Sequence, residues 1–159
     1  MIKSEPLITD LIGGKATKTD SRIAFFCAAD ELSAQIVLLT HSLKSEELRA
    51  NLQGIAETLS DIMGEAAGGA FRTGETQIER LLALIKKYEA PPLKKFILPG
   101  KTPAGAQANA VRTVARRAEL AYAHVYEACG GSVYVFEYLN KLSTLFFALA
   151  RKLDEKQLL

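Results

Sequence analysis

The chain has little of what specialised chemistry leaves behind. Its two cysteines, Cys27 and Cys129, sit among apolar neighbours. That excludes a disulfide framework and reads as two buried thiols in a reducing compartment. His41 and His124 are the only histidines, and neither has a second His, Cys or carboxylate at metal-ligand spacing, so no protein-built metal site is expected. Excess charge is scarce too. A formal net charge of +2 leaves no footprint for nucleic acid or an anionic membrane surface. No stretch reads as the roughly 18 apolar residues of a membrane span, and Met1-Ile2-Lys3-Ser4-Glu5-Pro6 has no apolar signal region. The expectation is a cytoplasmic protein without nucleic-acid or membrane partners. Also missing are a G-x-x-x-x-G-K-[ST] loop, a G-x-G-x-x-G turn and any Ser/His/Asp order suggesting a triad. No segment shows strand alternation between turn signals.

What is present is helical periodicity. The 159 residues are 48% hydrophobic, enough for one domain with a real core. Ile23, Phe26, Cys27, Leu32, Ile36 and Leu39 recur at three- and four-residue spacing after Asp20, a plausible N-cap. A second helix runs from Glu46 to about Met63, with Leu48, Leu52, Ile55, Leu59, Ile62 and Met63 inward, and Gly64 then Gly68-Gly69 end it. A third spans Thr76 to about Tyr88, turning Ile78, Leu81, Leu82 and Ile85 to the core. The fourth begins at Thr102-Pro103, a cap followed by proline, and reaches Cys129 before Gly130-Gly131. Ser132 caps the fifth, which carries Val133, Phe136, Leu139, Leu142, Phe146 and Leu149 to about Leu153. Helices of this length on short loops predict a single-domain, all-α, five-helix bundle over 1–159.

Four places could carry chemistry. Arg112 and Arg116 share a face of the fourth helix, with Glu119 three residues beyond. They describe either a solvated basic face with an Arg116–Glu119 pair or two guanidinium groups waiting for an anion. Asp30-Glu31 interrupts an apolar run in the first helix, where a carboxylate wants a cation; an arginine of the fourth helix is the obvious one. Phe96-Ile97-Leu98-Pro99-Gly100 is an apolar loop leading into that arginine helix, on composition a packed connector. Asn140, within Leu139-Asn140-Lys141-Leu142-Ser143, is either an interhelical amide or a ligand contact. Residue chemistry alone stops at a bundle with an arginine-lined anion pocket.

In order and register, these segments resemble the PduO-type corrinoid adenosyltransferases. The matching residues are Gly13-Gly14 with Lys18 and Asp20, Asp30-Glu31-Leu32, Phe96 to Gly100, Arg112 with Arg116-Arg117-Ala118-Glu119, and Leu139 to Ser143. Each motif is weak alone; five in register, from about Leu11 to Lys152, are strong. The resemblance implies a ferritin-like five-helix bundle assembling as a homotrimer, with active sites between subunits. It implies transfer of the 5′-deoxyadenosyl group of ATP to the cobalt of cobalamin or another corrinoid, with Mg²⁺ on the phosphates. Arg116 would neutralise the leaving triphosphate while paired with Asp30 across the interface. Lys18, Gly13, Gly14, Arg112, Glu119 and Asn140 would serve ATP, and Phe96 would crowd the lower cobalt face. A corrinoid reductase or an adenosylcobalamin-dependent enzyme is the protein partner so implied.

The sequence also departs from the family pattern. The place of the T-x-T-G-D-x-G phosphate loop reads Lys3 to Asp10 without its glycines, and Leu120 replaces the last arginine of R-R-A-E-R. Asn109 stands for a histidine, Thr144 for an aspartate and Lys101 for a glycine. Most changes fall on the ATP side, which sets up the alternative of an impaired relative that binds, delivers or senses a corrinoid.

Overall fold

The computed structural model describes residues 7–155. Five helices carry most of them: α1 (Ser21–Thr40), α2 (Glu46–Ala66), α3 (Glu75–Tyr88), α4 (Pro103–Cys129) and α5 (Val133–Asp154). The caps expected at Asp20, Thr102 and Ser132 are real, and Ser45 caps α2 as well. Asp20 accepts from Arg22 N, Ser45 from Leu48 N, Thr102 from Gly105 N and Ser132 from Tyr134 N, satisfying amides that a helix N-terminus leaves open. Gly130 closes α4 at φ 74°, a backbone state that side chains disfavour.

Packing runs α2 on α1, α1 on α4, α4 on α5 and α5 on α3, so α4 is the central neighbour of the longest faces. Leu32, Ile36, Leu39, Leu52, Leu59, Leu139, Leu142 and Phe146 are completely or almost completely buried, each contributing roughly 1.5–3 kcal/mol of transfer free energy. An aromatic cluster closes one end. Phe25 meets Tyr122 edge-on at 5.2 Å, and the Tyr122 hydroxyl accepts from Ser132 N at 3.0 Å, tying α4 to the start of α5.

Several expectations need correction. Two short strands exist, β1 (Ile8–Leu11) and β2 (Gly14–Thr17), paired antiparallel with Leu11 opposite Gly14. α2 runs through Gly64 to Ala66; a helical glycine costs about 1 kcal/mol but is no stop signal when packing holds the turn. Leu82 and Val133 are exposed. So are both thiols: Cys27 because α1 is apolar nearly all round and periodicity could not tell its inner face from its outer, and Cys129 because it is the last residue of α4. α1 is also long and apolar enough to cross a membrane by length and composition, contrary to the reading that no stretch is; Phe25, Ala28, Ala29, Leu32, Ile36 and Leu39 bury one face of it in the bundle.

Candidate active site

The arginine face of α4 is built as a chain of contacts. Asn109 is its first link: its Nδ2 donates to Pro99 O at 3.5 Å and its Oδ1 accepts from Arg112 Nε at 2.8 Å. The residue that replaces a histidine therefore connects the Phe96–Gly100 loop to the first arginine. Two turns on, Asn140 Nδ2 donates to Glu119 Oε1 at 2.8 Å, joining α5 to α4. Ser143 Oγ returns a hydrogen bond to Asn140 O at 3.0 Å. Glu119 is thus engaged by an amide, and of the two readings of this face the one with an Arg116–Glu119 pair does not hold. Arg116 is exposed and has no partner among the described residues. An unneutralised guanidinium beside a groove is a ready anion contact.

The acidic pair of α1 finds its fourth-helix arginine at one residue and not at the other. Successive helical side chains point about 100° apart, so Asp30 and Glu31 cannot face the same way. Glu31 takes Arg117, while Asp30 is exposed with no partner among the described residues. Within one chain the burial argument for pairing Asp30 does not apply. The Glu31–Arg117 pair borders a groove of about 530 Å³ between α1 and α4, with Cys27, Leu120 and His124 on its walls. A second groove of about 500 Å³ lies on the other side of Leu120, lined by Arg116, Glu119, Ala123 and Phe136. Leu120 itself is 60% exposed, an apolar side chain between two arginine-edged clefts.

Phe96 is not a packed connector. Its ring is 91% exposed and Leu98 is 75% exposed, which is costly unless another surface covers them. The loop is nevertheless anchored. Asp154, at the end of α5, accepts from Gly100 N at 2.8 Å and Thr102 N at 3.0 Å, and Thr102 Oγ1 donates to Leu153 O at 3.2 Å. Asp154 was invisible as a site residue because its partners lie more than fifty positions away in sequence.

The N-terminal side is the hairpin. Lys3 to Pro6 of the degenerate phosphate loop lie outside the described residues, and Ile8 to Asp10 form β1. Gly13 sits in the turn and donates to Ala67 O at 3.1 Å, Gly14 opens β2, and the exposed Lys18 donates its amide to Leu7 O at 2.6 Å. Asp20 is bidentate with Arg22, at 2.9 Å from Nε and 2.7 Å from an Nη. The Arg22 guanidinium, with the Arg22 amide, lowers the Asp20 carboxyl to about 2. Asp20 is therefore an occupied cap and not a free phosphate-side group.

The arrangement offers an unpartnered guanidinium, an amide–carboxylate pair and an exposed aromatic loop along one helix. The cobalamin adenosyltransferase family model matches residues 8–153. The chain belongs to this family. A corrinoid adenosyltransferase of Bacillus subtilis is 34% identical over 158 residues, covering 93% of this chain and 82% of the relative. A cobalamin adenosyltransferase of Cupriavidus metallidurans is 38% identical over 146 residues, covering 89% and 79%. An arginine-to-lysine variant of the PduO-type ATP:corrinoid adenosyltransferase from Lactobacillus reuteri, complexed with ATP, superposes with TM-score 0.86 at 28% identity, covering 95% and 91%. A phenylalanine-to-alanine variant of the same enzyme, complexed with cobalamin and ATP, gives TM-score 0.84 at 27% identity, covering 96% and 92%.

Proposed function

We propose that this chain transfers the 5′-deoxyadenosyl group of ATP to the cobalt of a reduced corrinoid. The observation that carries the reading is Arg116, exposed beside a groove on α4 with no partner among the described residues, in a chain of the adenosyltransferase family. In the reaction Co(I) attacks C5′ of the ribose with an electron pair. The cobalt–carbon bond forms, the C5′–O bond breaks, and triphosphate leaves with that bond's electrons.

The protein's own work is positional and electrostatic. Arg116 takes up negative charge growing on the departing triphosphate, a donor role worth about 2.7–4 kcal/mol in comparable sites. Arg112, held by Asn109, adds a second guanidinium one turn away. Glu119, on the wall of the Arg116 groove, is held by Asn140, and the pair would contact the nucleotide. Gly13, Gly14 and Lys18 of the hairpin serve the phosphates from the other side. Phe96 covers the lower cobalt face and keeps an axial base away, which eases reduction to Co(I). Among the described residues no three His, Cys, Asp or Glu side chains gather to hold a metal. Mg²⁺ would accompany the ATP phosphates and screen their charge, and no step is assigned to it.

The site is completed in a cytoplasmic homotrimer. α1 supports this, since Val37 and Leu38 are exposed on a helix whose other face is buried, and a helix apolar all round belongs inside an assembly. Asp30 then meets the arginine face of a neighbouring copy, where Arg116 is its partner. A corrinoid reductase upstream and an adenosylcobalamin-dependent enzyme downstream fit such a product.

Incubation with ATP, Mg²⁺ and a chemically reduced corrinoid tests the reading. The absorbance of the cobalt–carbon bond should grow in; its absence after long incubation sinks the assignment. Leu120 favours one second reading, a corrinoid carrier that has lost ATP. Calorimetry then shows corrinoid binding with no ATP binding.

A further inference from the structure

Glu65 is a buried carboxylate that no part of the reaction above uses. It is only 7% exposed. Its Oε1 accepts two backbone amides, Arg72 N at 2.8 Å and Thr73 N at 2.6 Å. Those bonds pin the segment that follows α2 back onto the last turn of α2. An Arg72–Asp61 ion pair at 3.2 Å holds the same segment from outside.

The pinned segment is the seat of the hairpin. Gly13 N donates to Ala67 O, and Gly69 N donates to Gly64 O at 2.9 Å. Gly68 sits at φ 103°, and a Cβ there would lie 3.3 Å from Gly13 N. A Cβ on Gly69 would fall 2.7 Å from the Gly64 carbonyl oxygen and 3.7 Å from Ile12 Cδ1. Gly68 thus lets the hairpin backbone approach closely and Gly69 lets its own segment fold tightly onto Gly64, both in the stretch that Glu65 pins at residues 72 and 73. The carboxylate that pins this stretch is Glu65, whose Oε2, like Thr73 Oγ1, has no hydrogen-bond partner among the described residues.

We infer that Glu65 is a positioning residue for the nucleotide side of the site, acting through the glycine seat to set the place of the β1–β2 hairpin. This rests on the reading that the hairpin serves ATP phosphates. Glu65 touches no substrate, so its loss raises the KM for ATP and leaves the corrinoid side alone. A purely structural acid would lower every parameter together.

Three variants separate these cases. Glu65→Ala leaves the buried Thr73 amide and the part-buried Arg72 amide without their acceptor and should raise the ATP KM by about tenfold or more, with corrinoid KM unchanged. Glu65→Gln keeps an oxygen for both amides and should stay within about threefold of wild type. Gly69→Ala keeps Glu65 but pushes the segment off Gly64, and should reproduce the ATP-selective rise. Hydrogen exchange of amides 14–18 should quicken in Glu65→Ala and Gly69→Ala, while amides of α5 keep their protection. Parallel loss of ATP and corrinoid affinity, or hairpin exchange that does not change, overturns the inference. If the wild-type chain makes no adenosylcorrinoid, the functional reading falls by itself. Hairpin exchange in the three variants still decides whether Glu65 positions the hairpin.

Discussion

Leu120→Arg asks whether the leaving group lies where the grooves suggest. Leu120 stands where the family pattern places an arginine, 60% exposed between two clefts. A guanidinium there would share the phosphate load with Arg116. A charge-assisted hydrogen bond contributes about 1.5–3 kcal/mol net, which corresponds to roughly 10- to 100-fold in kcat/KM for ATP. The opposing cost is smaller. The introduced side chain would sit four residues from Arg116 and three from Arg117, and each like-charge pair costs about 0.2–0.5 kcal/mol. The melting temperature should fall by about 1–4 °C while turnover rises. Steady-state kinetics with ATP varied at saturating reduced corrinoid reads the gain, which should shrink as salt screens the added charge. Unchanged kcat/KM with intact corrinoid binding would place the triphosphate elsewhere and refute the reasoning.

Other outcomes follow from single residues. Phe96→Ala should leave the melting temperature within about 2 °C, because surface substitutions usually stay within about 0.5 kcal/mol and this ring is 91% exposed. Adenosyl transfer should nevertheless drop by more than about tenfold; a variant as active as wild type would remove Phe96 from the corrinoid face. Asp20→Asn tests the cap. The carboxyl is lowered from 3.8 to about 2 by Arg22, so its contribution is present above pH 3.8 and disappears as pH falls toward 2. Chemical denaturation should therefore show wild type more stable than Asp20→Asn at about pH 6, with the gap closing at about pH 2. A constant gap across that range would show that charge is not the cause.

The helices were legible because burying one face of a helix imposes a period, and because Asp20, Ser45, Thr102 and Ser132 cap where caps are needed. The hairpin was not, since two four-residue strands hold too few side chains to display alternation. α1 misled in a different way: an all-round apolar helix has no period to read, so Cys27 was assigned to the wrong face. Residues of the site on one helix, such as Arg112 and Arg116, could be grouped by spacing. Partners supplied from afar could not. Asp154 on the Phe96 loop, Glu65 on the hairpin seat and Glu31 on Arg117 all depend on how distant segments are juxtaposed.

The most direct test of the account is single-turnover adenosyl transfer by Arg116→Ala, measured beside its affinity for the reduced corrinoid. The account predicts a fall in the transfer rate of about 10²–10³, with corrinoid affinity kept within about twofold. Transfer at the wild-type rate, or equal losses in rate and corrinoid affinity, would contradict it.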